Sequence, residues 1–302
     1  MAPENKISKN HAETLLKRAT TASVTVATIL IGLKTWGYMQ SGSVALFATL
    51  LDSVMDTLSS IIIFAAVRFS MVPANEDFRF GHGKAEAIAG LLQAFVIGLT
   101  SFILFYEVVD KIINPKIIDN AALGIGVIVA SMALTLLLVI YQKYVTKQTG
   151  SIAIQADGMH YTGDILLNFG VGVSLLLGGY FNMVYADPLF GAIAGFYLLY
   201  SAYQIFLESA SVLMDKEMSE EERDKIQEII YSHPQVVGIH ELRTRRSGLN
   251  IFIQFHMELE EHISLKQAHI ISDQVENKII TTYHNAEVLI HADPYDDGSG
   301  KV

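Results

Sequence analysis

The chain of 302 residues is 51% hydrophobic and 17% charged, and it contains no cysteine, which excludes disulfides and thiolate metal sites. Residues 1–211 hold 14 acidic and 12 basic side chains, whereas residues 212–302 hold 17 acidic and 9 basic ones. This asymmetry predicts one domain at 1–212 and a more solvated, acidic domain at 213–302. The sequence has no basic patch that would favour nucleic acid as a partner.

The N-terminal segment "MAPENKISKNHAETLLKRA" is polar and of mixed charge, unlike a cleavable signal peptide. Six stretches after it are apolar enough to cross a lipid bilayer, which takes roughly 20 residues each. They predict transmembrane helices at about 15–39, 43–69, 83–110, 120–145, 151–178 and 186–212.

The loops between these helices carry an uneven distribution of positive charge. The N-terminal segment and the second and fourth loops hold nine lysines and arginines, whereas the opposite face holds Lys34, Lys111 and Lys116. Positive residues favour the cytoplasmic side, and an even number of spans returns the chain to that side. We therefore expect both termini, and the acidic domain, in the cytoplasm.

The acidic domain reads as alternating helices and strands. "EERDKIQEIIYSH" has helical periodicity, and "VVGIHELRTR" and "LNIFIQFHMEL" alternate as strands joined at "SG". "SLKQAHIISDQVENKIITTY" is helical again, with Ser264 as its expected N-cap, and "AEVLIHAD" closes as a strand. The order αββαβ predicts a small two-layer α+β domain.

Two predicted membrane helices carry ionisable residues, which are costly there and usually mark an ion path. Asp52 and Asp56 in "LLDSVMD" are four residues apart, as are His160 and Asp164 in "ADGMHYTGD", so each pair lies on one helix face. Together they predict a site of three carboxylates and one imidazole, which suits Zn²⁺ and could accept Fe²⁺, Co²⁺ or Cd²⁺. The alternative is that each carboxylate is protonated or hydrogen-bonded for packing, as we expect for Asp157.

The motifs "SGSVALFATLLDSVMD", "FRFGHGKAEAIAGLLQ", "ADGMHYTGD" and "YADPLFGAIAG", with the tail "GIHELRTRRSGLNIFIQFHMEL", resemble the cation diffusion facilitator family. They are most similar to its bacterial zinc and ferrous-iron efflux pumps. The resemblance implies a homodimer in the bacterial inner membrane, with a metallochaperone-like cytoplasmic domain, that exchanges a divalent metal for protons. It also implies that Asp52, Asp56, His160 and Asp164 form the transport site.

Seven of the ten histidines fall in residues 212–302, which favours a second metal region. The resemblance implies a two-metal cluster near the dimer interface of the cytoplasmic domains. Its expected ligands are His240, His256, His269, His291 and Asp293. We expect His233, His262 and His284 to be solvated instead.

The loop "PANEDFRFGHGK" departs from the family pattern of one Asp and two His as metal ligands. His82 is present, but the other two positions hold Asn75 and Phe78, and Asp77 is displaced in register. We therefore expect a loop site built on His82 and Asp77 to be absent or weak. Lys84 and Asp215 are a candidate charged link between the two domains.

The favoured function is a secondary transporter that exports Zn²⁺, with Fe²⁺ and Cd²⁺ as further candidates, and not an enzyme. A membrane zinc hydrolase is a weaker alternative, because the HxxxD pair lacks the Glu of an H-E-x-x-H site. A sensor or scaffold that binds metal without moving it is the third alternative, and metal flux would distinguish it.

Overall fold

The computed structural model describes residues 8–41, 44–113, 122–181, 183 and 185–295. Lys116, which entered the orientation argument, lies outside these residues. Long helices occupy the first two thirds of the chain, and their bounds agree with the predicted spans to within four residues, except that α1 begins six residues earlier. They are α1 (Lys9–Ser41), α2 (Val44–Ser70), α3 (Ala85–Ile113), α4 (Ala122–Thr149), α5 (Ile152–Phe181) and α6 (Ala186–Leu213).

Five of these helices are long and apolar enough to cross a membrane over their described residues, namely α1, α2, α3, α4 and α6. The other, α5, has 30 residues and carries the polar motif "ADGMHYTGD". Large side chains such as Phe95, Phe102 and Phe196 lie exposed on the outside of the bundle. Such an extensive apolar surface is expected of helices that face lipid.

Small residues let the helices approach closely, as is usual inside membranes, where helix association depends on packing rather than on water exclusion. Gly163 of α5 faces α6, and a Cβ added there would lie 2.3 Å from Leu198 Cδ2. Gly90 of α3 also faces α6, where an added Cβ would lie 2.3 Å from Ser209 Oγ. Helix α5 is therefore held firmly among its neighbours, which fixes where its polar side chains point.

The small domain after α6 has the predicted αββαβ order. Its elements are α7 (Glu220–Tyr231), β1 (Gly238–Ser247), β2 (Asn250–Leu259), α8 (Leu265–Thr282) and β3 (Ala286–Pro294). Strand β2 is central, antiparallel to β1 and parallel to β3. Ser264 caps α8 as expected, and its hydroxyl forms a capping box with Gln267.

The two helices cover one face of this sheet. Ile226 and Ile230 of α7 and Val275 and Ile279 of α8 pack with the alternate residues of β2 that face them, such as Ile253. Because side chains alternate across a strand, the residues between these point to the other face, which includes His256. The fold thus leaves one sheet face free to carry polar ligands.

The two domains meet where the α2–α3 connection contacts the β1–β2 turn. Phe80 lies against Phe252 with ring centroids 5.6 Å apart, and Arg245 stacks over both rings. The turn is tight, because Gly248 has φ +58 and lies against Gly83, with 3.1 Å between an added Cβ at Gly248 and Gly83 Cα. A Cβ at Gly83 would lie 2.2 Å from the carbonyl oxygen of Ser247, a backbone atom.

We expect Gly83→Ala to push the domains apart, because backbone on both sides of the contact cannot give way and overpacking costs about 1–3 kcal/mol. The thermal midpoint in detergent should fall, and protease should cut faster at Lys216 in the exposed connection. Gly32→Ala is the matched control, because no atom lies within 4 Å of a Cβ there. Equal cleavage rates in both variants would contradict a tight domain contact.

Candidate metal sites

Asp56 of α2 meets His160 and Asp164 of α5 inside the helical bundle. His160 Nε2 lies 2.9 Å from Asp56 Oδ1 and 3.8 Å from Asp164 Oδ2. One ligand atom from each residue lies within 4.8 Å of the others, and His160 is only 6% exposed. The i, i+4 spacing on α5 places its two ligands on the face that packs toward α2.

Asp52 lies one helical turn before Asp56, but its side chain is exposed and is not part of that three-residue group. It interacts electrostatically with Asp56 and His160. The structure therefore brings three of the four predicted ligands together, with Asp52 at the edge. Its carboxylate would have to turn toward the group to complete a four-ligand site.

Two buried atoms of this group have no hydrogen-bond partner among the described residues, namely His160 Nδ1 and Asp164 Oδ2. Buried polar atoms are nearly always satisfied, so such exceptions need an explanation. A cation held by one imidazole and the carboxylates would satisfy the carboxylate oxygen directly. Nitrogen and oxygen donors in this number suit a divalent transition metal.

Asp157 is fully buried next to the group, where it is held by neutral partners. Its carboxylate accepts hydrogen bonds from Gln142 Nε2 at 2.7 Å and from Ser60 Oγ at 3.3 Å. Gln142 also donates to Ser23 Oγ, and Ser60 Oγ lies 2.8 Å from the Tyr161 hydroxyl. This network joins α1, α2 and α4 to α5, which agrees with a packing role. Sequence reasoning found Asp157 but not its partners, since those come from other helices.

In the small α+β domain, three histidines lie side by side across the uncovered sheet face. The strand register pairs His240 with His256 and His256 with His291. His256 Nδ1 lies 2.8 Å from Asp293 Oδ2, and His291 Nε2 lies 3.0 Å from Asp293 Oδ1. His240, His256 and Asp293 form a second group whose ligand atoms lie within 4.8 Å of one another.

Asp293 lies at the centre of this group. The hydrogen bond with His256, supported by the charges of the neighbouring histidines, holds the pKa of Asp293 below its usual value, although desolvation opposes the shift. The carboxylate is therefore ionised at neutral pH and suited to a cation.

Glu258, which the sequence did not single out, also lies 3.7 Å from His240. It could have been found as the residue two positions after His256, on the same strand face.

His269 lies apart from these residues within one chain. It is on an exposed face of α8, 3.6 Å from Asp273, and α8 covers the opposite face of the sheet. The residues described in a single protomer therefore do not bring His269 into the predicted cluster. The sheet lies between His269 and the histidine row.

The loop before α3 does not bring His82 and Asp77 into a metal group among the residues that the structure describes. The buried His82 ring packs against Phe69 and Phe78, with centroids 4.6 and 4.7 Å away, and its Nδ1 lies 3.2 Å from the Val72 carbonyl oxygen. Asp77 is exposed, and its backbone N–H donates to Asn75 Oδ1. His82 here has the environment of a packing residue.

Lys84 and Asp215 lie together between the domains, with Nζ 2.9 Å from Oδ1. Arg245, which the sequence did not indicate, adds a second ion pair to Asp215 at 3.1 Å. Partial burial raises the pKa of Asp215, but hydrogen bonds from Lys84 and Arg245 outweigh it and hold this pKa below its usual value. The link is thus present at neutral pH and is lost as the pH falls through that lowered value.

A bundle of long apolar helices with a group of carboxylates and an imidazole inside it, joined to a small α+β domain that carries a row of histidines, is the arrangement expected of a membrane transporter of metal cations. Residues 20–214 match the model for the cation efflux transmembrane domain, and residues 218–295 match that for the cytoplasmic domain of cation efflux proteins. The chain belongs to the cation diffusion facilitator family. It is a multi-pass membrane transporter and not an enzyme.

Relatives support this assignment over nearly their whole length. The "Cation-efflux pump FieF" of Shewanella oneidensis is 41% identical over 280 residues, which cover 92% of this chain and 94% of that protein. The protein of the same name from Yersinia pestis (strain Pestoides F) is 39% identical over 279 residues, covering 92% and 93%. Among solved structures, the "Metal-bound C-terminal domain of CzcD transporter from Thermotoga maritima" is 28% identical with a TM-score of 0.24 and covers 28% of this chain and 99% of that one.

We expect Asp293→Asn to lower the number of Zn²⁺ ions bound per full-length chain, because Asp293 contacts both His256 and His291. Metal content after equilibration in detergent, determined by elemental analysis, measures this. His284→Ala is the matched control, because His284 is exposed and its Nδ1 lies 3.2 Å from the Ile280 carbonyl oxygen at the end of α8. Equal zinc content in both variants would show that Asp293 is not a metal ligand of this domain.

Proposed function

We propose that this protein exports Zn²⁺ from the cytoplasm in exchange for protons, with Fe²⁺ and Cd²⁺ as further candidate substrates. The observation that carries the proposal is the buried group of Asp56, His160 and Asp164 in the middle of α2 and α5. Ionisable residues at that depth are costly and usually lie on an ion path. The named activity of the relatives, cation efflux, is the activity that such a path would serve.

Zinc fits this donor set better than harder cations do. Zn²⁺ accepts imidazole and carboxylate ligands in a tetrahedral arrangement, whereas Mg²⁺ and Mn²⁺ prefer oxygen ligands in larger numbers. Asp52 is the fourth ligand in this proposal, since it lies one turn from Asp56 and interacts electrostatically with it. Fe²⁺ and Cd²⁺ accept the same donors, so they remain in the candidate substrate set.

Protons are the proposed counter-ion because they compete for the same atoms. A metal binds imidazole nitrogen and carboxylate oxygen only when these are deprotonated, so binding a metal releases protons. His160 Nε2 lies 2.9 Å from Asp56 Oδ1, which is a hydrogen-bond distance, so a proton can bridge these two proposed ligands in place of the metal. Protons from outside would then displace the metal outward, and cytoplasmic metal would displace protons inward.

We further propose a homodimer in the bacterial inner membrane, with both termini in the cytoplasm and division into domains at 1–212 and 213–302. Two copies of the acidic domain repel each other, and cations held by the row of His240, His256 and His291 would offset that repulsion. A metal-dependent contact between these domains would bias the membrane helices through the Lys84–Asp215 link. The proposed partners are thus a second copy, lipid, metal ions and protons.

The transport site is tested by substitution of its four ligands. We expect Asp52→Asn, Asp56→Asn, His160→Ala and Asp164→Asn each to reduce Zn²⁺ uptake into liposomes by at least about tenfold, because each removes a ligand from a buried charged site. Glu208→Gln is the matched control, because Glu208 is a carboxylate of α6 that instead bonds to Gln155. Normal Zn²⁺ flux in two of the four ligand variants would contradict the assignment of these residues to the transport site. If the wild-type protein binds Zn²⁺ but does not move it into liposomes, a metal sensor is favoured instead.

Proton coupling makes a separate prediction. Zn²⁺ affinity at the membrane site should fall as the pH drops from about 7.5 to about 5.5, because protons compete with the metal for the same imidazole and carboxylate atoms. Zinc entering liposomes should also move protons in the opposite direction, which a trapped pH-sensitive dye reports. Zinc uptake with no dye response would indicate a channel and contradict antiport.

A further inference from the structure

Lys34 lies inside α1 and makes contact with α2, although the sequence alone places it with the positive residues of the external face. Its ammonium donates to Ser53 Oγ at 2.5 Å. Ser53 is buried and directly follows Asp52, one of the proposed ligands. A lysine side chain is therefore held at the edge of the proposed transport site.

The charge of Lys34 acts on carboxylates from two different helices. It interacts electrostatically with Asp52 of α2 and with Asp164 of α5. Another charged group near Asp52 is Glu107 of α3, which has the opposite sign. A lysine within a membrane helix is costly unless it faces a cavity or opposite charges, and here the proposed ligands supply them.

We propose that Lys34 is a tethered cation of the transport site, which balances its carboxylates when the site is empty and weakens the hold on a bound metal. This inference rests on the transport site proposed above. Asp52, Asp56 and Asp164 carry three negative charges when ionised, and a divalent cation cancels two of them. Lys34 cancels the third, so the loaded site is neutral in the membrane.

The repulsion between Lys34 and a bound divalent cation would make it easier for the metal to leave the site. Charges interact several times more strongly in a poorly solvated site than in water, so a metal held there by three carboxylates alone would leave slowly. A transported ion must bind well enough to enter and weakly enough to leave. A fixed positive charge beside the ligands lowers the affinity without removing a ligand.

A purely structural role for Lys34, as a link between α1 and α2, predicts the opposite change in zinc affinity. If the Lys34–Ser53 hydrogen bond only held the helices together, its removal would loosen the site and weaken metal binding. A tethered cation predicts tighter binding when the charge is removed. The sign of the change in zinc affinity therefore separates the two roles.

The test uses the full-length protein carrying His240→Ala and Asp293→Asn, which removes binding at the cytoplasmic cluster. Zn²⁺ titration calorimetry at a single pH of about 8, the same for all variants so that proton competition is held constant, measures the membrane site. Lys34→Gln should bind Zn²⁺ about tenfold more tightly and transport it more slowly, because release becomes harder. Lys34→Arg retains the charge and should keep an affinity near that of the parent protein. Lys17→Gln, on the same helix but paired with Glu13, is the matched control for loss of a positive charge.

Unchanged or weaker zinc binding in folded Lys34→Gln would overturn the inference. Ser53→Ala provides a second test if Lys34→Gln does not fold, because it removes the hydrogen bond and keeps the charge. Zinc affinity close to that of the parent supports the tethered cation, whereas a tenfold loss would show that the tie between helices matters instead. Failure of the transport site itself looks different, since Asp56→Asn would then also leave zinc binding unchanged.

Discussion

The contact between Asp56 and His160 joins the two helices that carry the proposed ligands, and it does so where water is scarce. The distance of 2.9 Å and the low exposure of both side chains mean that each is the main polar partner of the other. A lone carboxylate or imidazolium would be expensive at this depth. The surrounding structure must therefore keep α2 and α5 in register, and the small residues and hydrogen-bond network around α5 do this. Asp157, held by Gln142 and Ser60, fixes the same helix one turn away from His160.

The features that follow from local periodicity could be predicted from the sequence. Apolar length predicted the helices, alternation predicted the strands, and i, i+4 spacing placed His160 and Asp164 on one face of α5. Contacts between distant elements could not be predicted in this way. Arg245 reaches Asp215, and Lys34 reaches Ser53, only because the chain folds back on itself. For the same reason the sequence did not show that Asp52 lies exposed at the edge of the group formed by the other three residues, or that a sheet separates His269 from His256.

The junction between the domains combines packing with charge. Arg245 stacks over Phe80 of the α2–α3 connection and over Phe252 of β2, and it pairs with Asp215 just after α6. One side chain thus joins the sheet to the membrane domain through an aromatic ring and to the connection after α6 through an ion pair. The close approach of Gly83 to Ser247 leaves little room for sliding. A movement of the cytoplasmic sheet would therefore be passed to the start of α3 and the end of α6, rather than absorbed by a flexible linker.

The two candidate metal sites use similar ligands in different solvents, and this difference assigns them different roles. The imidazoles of His240 and His291 are 46% and 67% exposed, whereas that of His160 is 7% exposed. Water can replace a metal at the exposed row at little cost, so a metal bound there would exchange readily with the surrounding solution. At the buried group the low exposure of His160 makes water a poorer substitute, so protons or a fixed cation such as Lys34 would have to balance the carboxylates after a metal leaves. The exposed row is thus suited to sensing the metal, and the buried group to moving it.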